Sequence, residues 1–511
     1  MAINRRRLFR IIIPVYPEEN IYSYSKNAKS VVAIGPVIVA TIVNKLWGWR
    51  VEIIDENNCN GLGCLDKDGL PDHTTLQIQN TADVVGFYCG LTSTMERVGN
   101  LAKLYQELGV KTVAGGWHAS YCPEETLLHN IDVVLHGDGE PEIRRIIYSL
   151  NENLCLDSAP GISFLKDGKI FTTPKETNII QNLDGLPFPD FGLVRGAKIK
   201  VYSLSRIRGC SMRCEFCSVN TKARWASPEY LFENVEWLVE TRRARKFFIV
   251  DDRLEEDMPG TMRFFEMITE KYGNRLSFFV QTRLGIAKSN EFIKTMKAAG
   301  VKTLFIGCES PIDEDLSNMR KGYTSKDMIG WVKILRQNFW IHGMFIFGYP
   351  PKEKRSQISP EEMGKRFRTF IKKAKFDSVQ ILKPIPLPGA PLRERLEKEG
   401  RIFPLNVVPW SRYDGNSVCF MPDNMSLKQL QEIPMKLMAG FYHRFSFFRV
   451  ILRTIIFPID YLLRGWRSWY IGWYRDLVKY VGSIIIKRWK EKYKESRFLE
   501  KLENYCKPKK Q

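Results

Sequence analysis

Arg208-Gly-Cys-Ser-Met-Arg-Cys-Glu-Phe-Cys-Ser218 places Cys210, Cys214 and Cys217 in the spacing C-x3-C-x2-C. Thiolates spaced this way on a short loop can each take a different iron of a cuboidal iron–sulfur cluster. With no fourth cysteine nearby, one iron keeps an open position for a substrate or cofactor. Two plainer readings stand beside this one. The spacing i, i+4, i+7 is also one face of a helix, which would make the thiols structural; against that, Gly209 opens the run and Arg213 and Glu215 crowd the interval. A structural zinc would want a fourth Cys or His close by, usually in C-x2-C pairs, and no histidine lies near this loop.

Working outward toward the C-terminus, short apolar runs alternate with helical patterns. The runs Tyr202 to Ser205, Phe247 to Val250, Phe278 to Val280, Thr303 to Ile306, Met344 to Phe347 and Ser378 to Leu382 read as six strands of a βα series. Such a series suits a partial barrel with its site at the C-terminal strand ends. Polar residues stand there: Asp251 and Asp252, then Gln281 and Arg283, then Gly307-Cys-Glu-Ser310, which contains Glu309. Each acid alone could be a solvated loop residue or a helix cap.

Toward the N-terminus the same alternation recurs. Strands are expected at Phe9 to Val15, Val51 to Ile54, Asp83 to Tyr88, Lys111 to Ala114 and Val133 to Leu135, with helices between, giving a Rossmann-like or flavodoxin-like parallel sheet. Its loops carry Gly90-Leu-Thr-Ser-Thr94, Gly115-Gly-Trp-His118 and His136-Gly-Asp-Gly-Glu140. Small and hydroxyl residues at strand ends let backbone approach a large flat ligand.

The triad, with Phe216 just before its third cysteine, resembles that of the radical S-adenosylmethionine enzymes. The resemblance implies a 4Fe-4S cluster on Cys210, Cys214 and Cys217 whose open iron chelates S-adenosylmethionine. It also implies one-electron cleavage of the sulfonium to a 5′-deoxyadenosyl radical and a reduced ferredoxin or flavodoxin as electron donor. By the same resemblance Phe216, Asp251, Asp252, Gln281, Arg283 and Glu309 should contact S-adenosylmethionine. Gly343 to Pro350 and Pro384 to Pro391 match segments of the same domain. The N-terminal sheet is similar to the cobalamin-binding domain that precedes many of these barrels. Thr92, Ser93, Thr94, Gly115, Gly116, His118, Gly137 and Glu140 are the residues expected to meet cobalamin. The D-x-H-x-x-G segment that supplies a cobalt-ligating histidine elsewhere is absent after the first strand, because Asp72 and His73 are adjacent and lie in another loop. No histidine from that motif is therefore expected on cobalt, and the plain reading of His118 and His136 is as satisfied loop residues.

The 511 residues are 44% hydrophobic and 26% charged, which fits folded domains rather than wholesale disorder. Eleven cysteines without a compact framework indicate reduced thiols in a cytoplasmic protein. Neither a signal peptide nor a membrane-spanning run is legible. The net charge is +20, and residues 441–511 hold 17 Lys or Arg against 6 Asp or Glu. On a helical projection, Trp466, Trp469, Tyr470, Trp473, Leu477, Tyr480 and Ile484 share one face, opposite Arg467, Arg475 and Lys479. Phe445 to Leu463 is similarly apolar. An in-plane helix on an anionic membrane surface accounts for this pattern; a pair packed on the protein's own core is the plainer alternative, and nucleic acid is a weaker one.

The sequence thus predicts an α/β chain of four parts. Residues 1–150 form the cobalamin-type sheet, 151–198 a linker with one small hairpin, 199–395 a partial (β/α)6 barrel, and 396–511 a helical region with a basic amphipathic tail. The resemblance points to methylation of an unactivated carbon of a hydrophobic isoprenoid- or hopanoid-type lipid. A cyclase or rearrangement enzyme, an RNA-modifying methylthiotransferase and a non-catalytic cofactor carrier are the alternatives.

Overall fold

A computed structural model describes residues 6–25, 28–174, 179–219, 221–352 and 358–507. The first sheet holds β1 (Arg7–Ile13), β2 (Trp49–Asp55), β3 (Val84–Tyr88), β4 (Lys111–Gly115), β5 (Val133–Leu135), β6 (Ile162–Lys166) and β7 (Lys169–Thr172) in the order β2-β1-β3-β4-β5-β6-β7. The first five strands are parallel and their order is that of flavodoxin, so the ligand crevice lies at the carboxyl ends near β1 and β3. Burial explains the composition of β1, where Leu8 to Ile13 are all covered and Arg10 is tolerated because Glu52 (2.7 Å), Gln77 (2.9 Å), Tyr105 and the Leu76 and Asn80 carbonyls hold its guanidinium. The expected linker hairpin exists as β6–β7, and it pairs antiparallel with β5, so it extends the sheet.

A second sheet holds β8 (Tyr202–Leu204), β11 (Lys246–Ile249), β12 (Ser277–Thr282), β13 (Val301–Glu309), β14 (Trp340–Ile346) and β15 (Ser378–Leu382), and between β8 and β11 the short pair β9 (Ile207–Arg208) and β10 (Arg224–Trp225) flanks the cysteine loop. All six are parallel, in the order β8-β11-β12-β13-β14-β15, which makes an open six-stranded barrel. β14 begins four residues before the expected Met344. Its His342 and Gly343 interrupt the apolar pattern, but the Phe376 ring covers Gly343 so closely that a Cβ would meet it at 2.7 Å.

Helices Leu427–Phe441, Phe445–Ile455 and Phe457–Glu495 follow, the last kinked at Gly465, where φ is +75°. The tail departs from the helical projection. Trp469 and Trp473 turn inward and donate from Nε1 to Arg453 O (2.7 Å) and Thr454 Oγ1 (3.2 Å) of the helix Phe445–Ile455. Arg475 pairs with Asp377, and Lys479 lies over the Phe441 ring. Most of the large apolar exposure falls instead on the hairpin 445–466, where Phe445 is 72%, Leu462 81% and Leu463 77% exposed. Among the described residues no helix is long and apolar enough to cross a membrane.

Candidate functional site

The loops after the first sheet and the inner face of the second open into one cavity of about 1970 Å³. That is larger than the ~300–1,000 Å³ usual for a single small-molecule site, so it has room for more than one ligand.

On the first-sheet side it is lined by Thr94, Gly115, Gly116, Gly137 and Glu140, with Tyr16, Tyr88 and the Trp117–Tyr121 stack beside them. Gly116 has φ +124°, and a Cβ there would come within 2.7 Å of the Cys89 carbonyl carbon. Two loops pack backbone to backbone at this point, which only glycine permits. Thr92, Ser93 and His118 are buried away from the cavity. His118 Nδ1 lies 3.3 Å from Thr92 Oγ1 and Nε2 lies 2.8 Å from Glu125, with the Trp410 ring edge-on at 5.1 Å. Both ring nitrogens are thus engaged by protein.

The cysteine loop is fixed on three sides. Cys210 N–H donates to Thr221 O (3.2 Å), Gly209 N–H donates to Asp252 Oδ2 (2.7 Å), and Cys217 N–H donates to Cys214 O (3.1 Å). Between the second and third cysteines, the buried Glu215 accepts from Tyr349 Oη (2.6 Å) and Arg395 Nε (3.1 Å). Burial pushes the Cys210 thiol up to about 11 and raises Cys217 as well, so ligation of iron has to displace protons. Among the described residues no three His, Cys, Asp or Glu are gathered as ligands of one metal ion; a cuboidal cluster bound through three separate irons does not require that gathering.

Asp251 and Asp252 separate in role. Asp251 is buried, and its Oδ1 accepts the backbone N–H groups of Arg206 (2.6 Å) and Ile207 (2.8 Å), fixing the approach to the cysteine loop. Asp252 faces the cavity, as does Gln281. Glu309 adopts φ +62° at the end of β13 and pairs with Lys321 at 3.1 Å. Lys321 Nζ in turn sits 5.8 Å from the Phe216 ring centroid, and Arg283 caps the Tyr323 ring at 5.6 Å. Burial would pull the Lys321 ammonium down, but Glu309 holds it well above its ordinary range. Lys321 escapes a reading of strand ends because it lies in a helix-to-helix loop.

The two sheets are joined at the site. Arg208, two residues before Cys210, reaches Asp138 (3.1 Å) and Glu140 (2.6 Å) in the loop after β5, and Arg224 reaches Asp138 (2.6 Å). Tyr121 Oη donates to Ser218 O (2.8 Å) across the same junction.

Residues 28–147 match the B12 binding domain, and residues 204–396 match the radical SAM superfamily. The chain is a radical SAM protein with a B12-binding domain. Its cofactors follow from the two domains as a 4Fe-4S cluster, S-adenosylmethionine and cobalamin. It is similar to an uncharacterized methyltransferase of Pyrococcus horikoshii, 26% identical over 377 residues, 71% of this chain and 79% of that one. It is also similar to the hopanoid C-2 methylase of Rhodopseudomonas palustris, 23% identical over 69% of this chain and 62% of that protein. Among solved structures, the cobalamin-dependent S-adenosylmethionine radical enzyme OxsB with aqua-cobalamin and S-adenosylmethionine bound shares the fold. The TM-score is 0.64 at 15% identity, covering 98% of this chain and 81% of that one. The radical SAM domain spans the barrel whose strand ends close the cavity, which makes the chain an enzyme of that superfamily.

Proposed function

We propose that this enzyme transfers a methyl group to an unactivated carbon of a hydrophobic lipid of isoprenoid or hopanoid type. The observation that carries the reading is the large, mostly apolar cavity onto which both cofactor domains open. The similarity to a hopanoid methylase supports a lipid substrate. When bound, the cluster supplies the electron that splits S-adenosylmethionine, and cobalamin supplies the transferable methyl group.

The protein's own groups bind and orient. Cys210, Cys214 and Cys217 would hold the cluster, with Glu215 anchoring their loop through Tyr349 and Arg395. Asp252 and Gln281 present polar groups to the cationic S-adenosylmethionine. Lys321 lies between Phe216 and Glu309, where it compensates the acid's charge and leaves Asp252 as the carboxylate facing the ligand. Thr94, Gly115, Gly116 and Gly137 give cobalamin a wall with little side-chain bulk. The ion pairs of Arg208 keep that wall in register with the cysteine loop.

The exposed apolar hairpin 445–466, in a tail rich in Lys and Arg, supports a seat for the enzyme on the inner, anionic face of a membrane, where such a substrate resides. An anaerobically reconstituted enzyme supplied with a reduced flavodoxin and lipid should yield methylated lipid and S-adenosylhomocysteine. Their absence beside abundant 5′-deoxyadenosine would replace methyl transfer by ring formation or rearrangement.

A further inference from the structure

In a filled (β/α) barrel the inward side chains interdigitate in layers. Here they meet only in part, with ring centroids 5.4 Å apart for Phe248 and Phe305 and 5.1 Å apart for Phe305 and His342, and they leave open space beside them. Ser203, Phe248, Phe279, Phe305, His342 and Ser378, one from the inner face of each strand, all border the cavity. On β14 the alternate residues Trp340, His342 and Met344 do so along the seven-residue strand. Lys246, Phe248, Val250 and Asp252 do the same along β11 and the residues after it, so the bore follows six residue steps, about 20 Å at ~3.3 Å per residue.

The seam between β8 and β15 is closed by elements outside the barrel. On one side Ser203 Oγ donates to Val32 O at 2.6 Å, and Val31 bridges Val201. On the other, Tyr442 Oη bonds both backbone groups of Val379 (2.9 and 2.8 Å), and the Tyr474 ring meets Trp340 with centroids 5.3 Å apart. The helix Phe457–Glu495 then supplies a wall of Ile471, Tyr474, Leu477, Val478, Val481 and Ile485. The same helix begins in the exposed apolar hairpin, so the wall is continuous with the surface that would meet lipid.

We propose that the barrel bore and this helix together form the seat for the long apolar part of the substrate. An isoprenoid chain or fused-ring body would lie lengthwise there, with its reacting end toward Asp252 and Gln281. This rests on the lipid reading above. The seat is apolar along the helix wall, and its polar groups, among them Ser203, Thr303, His342, Ser378 and Gln380, lie on the strands. His342 Nδ1 is 2.8 Å from Ser378 Oγ, and burial draws His342 down to about 4, so the imidazole is neutral. Lys246 and Lys302 border the end away from the cofactors.

The test uses the full chain carrying cluster and cobalamin, titrated with cis-parinaric acid, whose emission rises in apolar surroundings. Saturable binding is expected, and Leu477→Trp should weaken it about tenfold or more while iron content and cobalamin absorbance stay as in the parent. Ile78→Glu, at an exposed position outside the cavity, should leave the affinity unaltered. Parent-like affinity in Leu477→Trp, or loss in Ile78→Glu, would overturn the seat. Should Leu477→Trp fail to fold, Val478→Cys gives a second readout. Its alkylation by a maleimide, followed by peptide mass spectrometry, should slow in the presence of parinaric acid, and an unchanged rate contradicts the proposal. Probe binding needs no turnover. If the variants behave as expected but no lipid is methylated, the methyl-transfer reading fails and the seat stands. Lipid methylation beside an unaffected Leu477→Trp titration would instead keep methyl transfer and remove the seat.

Discussion

Arg208 holds the two cofactor domains together, and replacing it by methionine tests that role. The guanidinium sits between Asp138 and Glu140 at 3.1 and 2.6 Å, and the Glu140 side chain is only 6% exposed. Methionine preserves the packing of the stem but strands a buried carboxylate. Breaking one side of a buried pair costs roughly 3–5 kcal/mol. Because Arg208 retains 21% side-chain exposure and Arg224 still neutralises Asp138, the lower end of that range applies. The measurement is guanidinium unfolding of the cofactor-free chain near neutral pH, run as a cycle with Glu140→Gln. The double variant should be more stable than the sum of the single losses by about 1–3 kcal/mol, since the unpaired charge is then gone. Cobalamin loading, read by absorbance, should fall in Arg208→Met. Unfolding within ~0.5 kcal/mol of the parent, or strictly additive losses, would refute the reasoning.

Gly116→Ala forces a Cβ against the Cys89 backbone at 2.7 Å in a φ +124° conformation; a loss of about 1–3 kcal/mol and weaker cobalamin retention on gel filtration should follow. Burial raises Asp251 from 3.8 to about 6, so between those values the folded chain keeps a proton that the unfolded chain has released, and stability falls as pH rises. Asp251→Asn keeps an oxygen for the Arg206 and Ile207 N–H groups. Urea titrations from pH about 4 to 7 should show it losing less stability than the parent, by a difference on the order of 1–3 kcal/mol. Tyr349→Phe removes the 2.6 Å bond to Glu215; a loss of about 1.5–3 kcal/mol and reduced iron uptake on reconstitution are expected. The full chain should co-sediment with phosphatidylglycerol-containing vesicles in a salt-sensitive way, and Leu462→Glu with Leu463→Glu should weaken this about tenfold or more.

Both sheets were legible because buried parallel strands such as Phe9–Ile13 and Phe247–Val250 are apolar runs bounded by turn residues. The start of β14 was not, because Trp340 and His342 face an open bore and need not be aliphatic. At the site, Asp252 and Asp251 look equivalent in sequence; only burial and the direction of each carboxylate separate them. Lys321, Arg208 and the Glu215 clamp depend on contacts over long stretches of chain, such as Glu215 with Arg395, and local spacing carries no trace of those. The partners of the tail's aromatic stripe were hidden for a related reason: Trp469 bonds the neighbouring helix and Leu477 lines the cavity, while Trp466 and Tyr470 stay exposed and most of the large apolar exposure lies upstream at Phe445 to Leu463.

The most direct test of methyl transfer is mass spectrometry of a lipid extract incubated anaerobically with the reconstituted enzyme and S-adenosylmethionine carrying a trideuterated methyl group. A lipid in which one hydrogen is replaced by the intact trideuteromethyl group, formed only when cobalamin is present and lost in Cys214→Ser, is the predicted result. Labelled product formed equally by Cys214→Ser, or 5′-deoxyadenosine released with no label entering any lipid, would contradict it.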